Sequence, residues 1–223
     1  MASQVSSRAE AHGASSGDKA GGVTGYSVVL PPGWRRIPIQ QGTPAAVRDI
    51  ADEVLGRRPQ RISPDHVAPY RAQIERRLSE LAKQARAGGG VDLYLPIAPV
   101  HGTPVPASFI VSQGAPFAAE VVDPGQVAGY LAASGDASAA MVDGSRGARI
   151  ESTGPAETAS RIHTGSRRVD YVLPVPGHLG RWLIVTFATP GDGDPAGEFA
   201  GLLVRLFDSI MLTFRWTTDQ AAG

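Results

Sequence analysis

The sequence predicts an α+β domain organised around an antiparallel β-sheet, and three observations predict it. Two amphipathic helical patterns precede residue 88, short β-patterned runs fill residues 91 to 188, and a third helical pattern follows near the C-terminus. Strands that succeed one another without intervening helices pair antiparallel, and helices gathered before and after them cover the sheet. With 223 residues the chain makes one domain of ordinary size. A domain this long buries about 70% of the surface its unfolded chain exposes, so it needs no disulfide or metal staple. Residues 1–24 read as a disordered tail, 25–218 as the single domain and 219–223 as a flexible end.

The tail is Ser, Ala and Gly with scattered charge, too polar to bury itself. Order is expected from Tyr26, where Tyr26, Val28 and Leu30 alternate with Ser27 and Val29 until Pro31-Pro32-Gly33 ends the strand. Trp34, Ile37 and Ile39 continue in an extended pattern. Thr43-Pro44 reads as an N-cap followed by proline at the first helical position, and Val47, Ile50, Ala51 and Val54 form a helical stripe that runs out near Gly56. A second helix is expected from about Pro69, with Ile74, Leu78, Leu81, Ala82 and Ala85 on its apolar face and Arg76, Arg77, Glu80, Lys83 and Gln84 on its wet side. Gly88-Gly89-Gly90 follows this helix and leads into a strand, so it reads as a C-cap and turn and not as a phosphate cradle, which precedes a helix.

Strands are expected over Val91–Leu95 and Ala107–Val111, joined by a proline-rich connector that contains His101. A turn at Asp123-Pro124-Gly125 precedes a weak helix through Val127, Tyr130 and Leu131. Residues 132 to 148 are small and polar around Met141 and Val142. Arg149–Ser152 and Arg161–His163 suggest strands joined at Gly154-Pro155. Arg168–Val175 and Trp182–Ala188 then form a hairpin whose tight turn carries Gly177 and Gly180, residues that reach backbone conformations others resist. The last helix is expected to open with Asp194 as N-cap and Pro195 first inside. Its broad apolar face is Phe199, Leu202, Leu203, Leu206, Phe207 and Ile210. Leu212, Phe214 and Trp216 alternate after it as a short closing strand docked on the sheet.

Composition excludes several classes of chemistry. The chain has no cysteine, so thiolate catalysis, thiolate zinc sites and disulfide frameworks are ruled out. Basic and acidic residues balance at 21 each, which gives no basic footprint for nucleic acid. Only Lys19 and Lys83 are lysines, an arginine bias that fits a high-GC genome. No apolar run has the length of a signal-peptide core or a membrane span, so a cytoplasmic protein without membrane insertion is expected.

Motifs that carry chemistry are sparse. Arg57, Arg58 and Arg61 form a basic cluster whose functional reading is an anion site, and a solvated loop is the favoured one. His178 at the hairpin tip has no carboxylate or hydroxyl neighbour in sequence to orient it as a base, so it reads as a corner residue. Asp192-Gly193-Asp194 with Glu198 fails calcium-loop spacing, because the bidentate position falls on Leu203. There is no G-x-S-x-G elbow, no H-E-x-x-H and no histidine pair at metal spacing. No catalytic, cofactor-binding or metal-ligating residue is therefore assigned, and no cofactor is expected.

Four segments, LPPGW (30–34), PASFIVS (106–112), VDYVLPVPGHLGRWLIVTF (169–187) and LFDSIMLTFRW (206–216), come in an order that resembles the Mog1/PsbP-like fold. That resemblance covers most of residues 26 to 216 and implies an α/β/α sandwich with a central antiparallel sheet. Its members are mostly accessory proteins, including a small-GTPase cofactor, photosystem extrinsic subunits and chaperones of bacterial secretion effectors. They share no catalytic residues. The resemblance implies a non-enzymatic protein-binding adaptor or chaperone, with a link to a bacterial secretion or assembly system, acting as a monomer or homodimer. The alternatives are a small-ligand-binding protein with a pocket between sheet and helices and, less favoured, a hydrolase. Trp34, Tyr94, Phe109 and Trp182, bulky residues near turns, are candidate contacts for a protein partner, with burial in the core the favoured reading of each.

Overall fold

A computed structural model describes residues 3–8, 22–57, 66–100, 102–114, 137–154 and 165–218. It is an α+β protein whose central layer is a seven-stranded, wholly antiparallel sheet. The strands are β3 (Trp34–Pro38), β4 (Gly90–Pro96), β5 (Ser108–Gly114), β6 (Ala137–Val142), β7 (Ser145–Gly154), β8 (Ser166–Pro174) and β9 (Trp182–Thr189), in the spatial order β3-β4-β5-β9-β8-β7-β6. A second antiparallel sheet places β2 (Val23–Leu30) between β1 (Ser3–Arg8) and β10 (Arg215–Thr218).

Helices flank the large sheet on both faces. On one face α1 (Thr43–Gly56) and α2 (Val67–Ala87) pack Val47, Ile50, Leu78, Ala82 and Ala85 against Ile37 and Leu93. On the other, α3 (Glu198–Leu212) and the small sheet enclose a larger core that includes Tyr26, Trp34, Tyr94, Phe109, Phe187, Phe207 and Phe214. The expected three-layer sandwich is therefore present. β3 belongs to both cores, because its buried residues Trp34 and Ile37 lie three apart and so point to opposite faces of a strand.

Several local expectations need correction. Ser3–Arg8, assigned to the disordered tail, forms a strand in continuous register with β2, from Ser3 opposite Leu30 to Arg8 opposite Gly25. Backbone hydrogen bonds to a neighbour organise this polar segment where side-chain hydrophobicity does not. Thr43 is not the cap of α1. Left-handed Gly42 occupies that position, and the Thr43 hydroxyl donates to the carbonyls of Pro38 and Ile39. Asp194 does not open α3 either. It makes a turn in which Oδ1 accepts from Ala196 N at 3.0 Å, and the helix starts after Gly197. Leu81 lies on the exposed side of α2, not in the stripe.

Residues 137 to 148, read as small and polar, contain β6 and the start of β7. Asp143 and Gly144 both have positive φ, 45° and 78°, between the paired Val142 and Ser145. This is a two-residue hairpin turn of the kind Asp-Gly favours, and that dipeptide was the available signal. The expected helix through Val127, Tyr130 and Leu131 and the strand at Arg161–His163 lie outside the described residues.

Candidate functional site

The hairpin tip comes first, because His178 sits there. Val175–Arg181 joins β8 to β9 through successive turns: His178 N donates to Val175 O at 3.1 Å, and Arg181 N donates to His178 O at 3.3 Å. Gly177 and Gly180 have φ of 74° and 76°, which explains both glycines. The His178 imidazole stands against the backbone at Gly22, where an added Cβ would lie 3.4 Å from Nε2. No hydrogen bond or ion pair among the described residues engages it, so nothing arranges it as a base.

The four bulky aromatic candidates all belong to the interior. Trp34, Tyr94, Phe109 and Trp182 are between 0% and 6% exposed, and none offers a surface to a partner. Arg57 pairs with Glu53 on α1 at 2.6 Å, a helical i,i+4 ion pair. Arg58 and Arg61 fall outside the described residues, as does His101.

Sequence reasoning missed a buried polar cluster. Asp92 on β4 is 0% exposed; its Oδ2 accepts the Tyr26 hydroxyl at 2.5 Å and its Oδ1 accepts Arg36 Nε at 2.6 Å. The Tyr94 hydroxyl lies 3.0 Å from that of Tyr26. Burial, followed by the neighbouring Tyr94 and Asp92, holds the Tyr26 phenol well above its ordinary pKa. Tyr94 is raised in turn by burial and by Asp92. These phenols stay protonated, and the cluster ties β2, β3 and β4 together as a structural clasp. A second network links Arg149 to Asp208 and Glu151, with Arg167 on Glu151 and the Tyr171 hydroxyl donating to Asp208 at 2.9 Å. Burial opposes the charge on Glu151, but hydrogen bonds from Arg149 and Arg167 outweigh it and lower the carboxyl pKa. Among the described residues no three His, Cys, Asp or Glu side chains gather in a way that could hold a metal ion.

Two features remain that can receive a ligand. One is a cleft of about 330 Å³ where the two sheets part at the hairpin end. Val23, Thr24, Tyr26 and Trp216 of the small sheet border it on one side, and Gln113, Gly114, Val175, Arg181 and Leu183 on the other. Trp182 borders it too, although its side chain packs with Val172, Ile150 and Ile184. The Tyr26 hydroxyl is committed to Asp92, and the Trp216 indole N–H to Ser145 Oγ at 2.9 Å. Arg181 is the charged residue of the lining, exposed and without a carboxylate partner among the described residues. Such walls can hold an apolar group and an anion, and they carry no nucleophile paired with a base. The other feature is the outer edge of β2, which receives β1.

Comparison with known proteins adds little. No family model matches the chain, and no curated protein does. Among solved structures, a crystal structure from Bacteroides thetaiotaomicron VPI-5482 at 1.50 Å resolution is similar to 87% of this chain and 46% of its own, at 9% identity and a TM-score of 0.41. The chain thus spans less than half the length of that structure. No helix among the described residues is long and apolar enough to cross a membrane.

Proposed function

We propose that this protein is a non-enzymatic adaptor or chaperone that binds an extended polypeptide by adding it as a strand to the outer edge of β2. One observation carries the reading. Ser3–Arg8, of polar sequence SQVSSR, occupies that edge over six paired positions, joined to β2 through residues 9–22. An edge that takes so polar a segment binds through the main chain, and main-chain pairing accepts many sequences. The chain's own strand then acts as a placeholder that a better-matched guest displaces. This reading agrees with the accessory roles implied by the Mog1/PsbP-like resemblance, a fold-level analogy. A small-ligand reading is favoured by the cleft alone, whose volume of 330 Å³ is at the low end of ligand pockets, about 300–1,000 Å³.

The test uses the full chain carrying Val5→Pro and Ser6→Pro. Of two successive residues in an edge strand one directs its N–H at the neighbour, so the pair of prolines breaks the β1 ladder whichever residue that is. The probe is a labelled, C-terminally amidated peptide VQVSVRL. It keeps the Ser3–Arg8 pattern and puts Val at the three positions opposite Leu30, Val28 and Tyr26. Saturable binding, about tenfold tighter to the proline variant than to the unsubstituted chain, is expected from fluorescence anisotropy. Equal binding to both forms, or binding to neither, overturns the reading.

A further inference from the structure

The cleft and the strand-accepting edge share residues, and strand polarity relates them in a definite way. β1 runs antiparallel to β2, so its C-terminal end, Arg8, lies opposite Gly25. One residue further along any guest in that register falls opposite Thr24. Directly opposed residues in an antiparallel pair share a face of the sheet. Thr24 is two residues before Tyr26, whose side chain faces the large core, so it shares that inner face, and both residues border the cleft. A guest strand therefore delivers the side chain opposite Thr24 towards the cleft, and its chain end arrives at the cleft that Arg181 borders. The polarity is what matters here. A guest paired antiparallel brings its C-terminus to this end, never its N-terminus.

We infer that the cleft is the anchor site for the C-terminus of a partner polypeptide: an apolar last side chain enters the cleft beside Thr24, and the terminal carboxylate meets the Arg181 guanidinium. This rests on strand addition at β2 and assigns the partner's chemistry. Two observations support it together. The walls at Val175, Leu183 and Trp216 are apolar, which suits an aliphatic or aromatic terminal residue. The charged lining residue is a cation without a carboxylate partner among the described residues, which suits an anion and not an ammonium. A free C-terminus supplies an apolar side chain and a carboxylate on one residue, and an internal segment does not.

The experiment compares the peptide VQVSVRL as free acid and as amide on the full chain carrying Val5→Pro and Ser6→Pro. The amide reports strand addition alone, and the difference between the two peptides reports the anchor. The free acid is expected to bind about tenfold tighter than the amide. That preference is expected to vanish in Arg181→Gln, which removes an exposed side chain engaged in no ion pair among the described residues. Gln113→Trp, which adds bulk opposite Leu183 on the face of the sheet that borders the cleft, is expected to weaken both peptides ending in Leu and to spare one ending in Gly. Equal binding of acid and amide, with both bound, overturns the anchor and leaves strand addition standing. Failure of both peptides to bind overturns strand addition and the anchor with it. Retention of the acid preference in Arg181→Gln also overturns the assignment of Arg181.

Discussion

The two faces of the large sheet are built from different materials. On the α3 side Phe207 lies 4.8 Å from Phe187, 5.6 Å from Phe109 and 5.7 Å from Tyr171, centroid to centroid. In the cluster that α1 and α2 cover, the buried residues are Ile, Val, Leu and Ala. The aromatic core fills the space among three structural units: the sheet, a helix and a second sheet. Large rings fill such a space with few side chains, and they admit the polar atoms of Tyr26, Tyr94 and Asp92 only as a mutually bonded cluster. On the aliphatic face Ala82 and Ala85 put small side chains between α2 and the sheet. One face is therefore vulnerable to holes and the other to bulk.

Substitutions can break this contrast, and the largest effect is expected in the ring cluster. Phe207→Ala should cost about 3–5 kcal/mol, because the surrounding rings cannot collapse onto the cavity. Urea unfolding measures it, and a loss under about 1 kcal/mol would show that this face relaxes freely. Next comes Tyr26→Phe, which deletes a hydrogen bond to a buried carboxylate and should cost about 1.5–3 kcal/mol at neutral pH. The same variant carries a pH signature. A phenol raised by folding contributes stability that is fully present below its unfolded pKa, about 10, and is lost as pH rises past that value. Alkaline destabilisation above about pH 10 should be shallower in Tyr26→Phe by about 1.4 kcal/mol per pH unit, since one fewer proton is linked to unfolding. An unchanged slope would mean that Tyr94 and Tyr171 carry all the alkaline linkage.

The aliphatic face should fail in the opposite way. Ala82→Leu is expected to destabilise by about 1–3 kcal/mol through overpacking, even though it adds apolar surface. A gain in stability there would show that α2 stands off the sheet, and the contrast between the faces would disappear. The smallest effect is expected at the perimeter. Glu151→Gln should cost less than about 1 kcal/mol at pH 7, the range of partly exposed ion pairs. Because its carboxyl pKa is lowered by folding, that contribution is present above the unfolded value, near 4.3, and is lost as pH falls. The stability difference from the unsubstituted chain should therefore close by about pH 3. A constant difference across that range would assign the effect to packing.

The candidate site was less legible in the sequence than the fold. His178 was recognised as a corner residue because Gly177 and Gly180 flank it, a local signal. The Asp92 cluster joins residues separated by 66 and 56 positions, and no pattern in sequence announces that Tyr26 and Arg36 converge on one carboxylate. The cleft is further still from any motif. Its walls come from β2, β5, the β8–β9 turn, β9 and β10, and its single charge, Arg181, looks in sequence like any other surface arginine.

By itself the sequence determined the periodic elements: the stripe of Leu78, Ala82 and Ala85 in α2, the β8–β9 hairpin with its two turn glycines, and Leu203, Phe207 and Ile210 on the apolar face of α3, from which Leu202, also expected there, is turned out and exposed. These are local, since 3.6-residue and two-residue periodicities and positive-φ glycines act within a few residues. Tertiary structure alone decided the rest. It made strands of SQVSSR and ASAAMV, whose side chains carry no alternation, because an adjacent strand offers N–H and C=O groups that must be paired. It also set the order β3-β4-β5-β9-β8-β7-β6, which brings the end of β5 beside β9, and these two strands border the cleft together with β2 and β10. Backbone pairing and strand order depend on which segments meet in space, and that information is absent from the local pattern of any one of them.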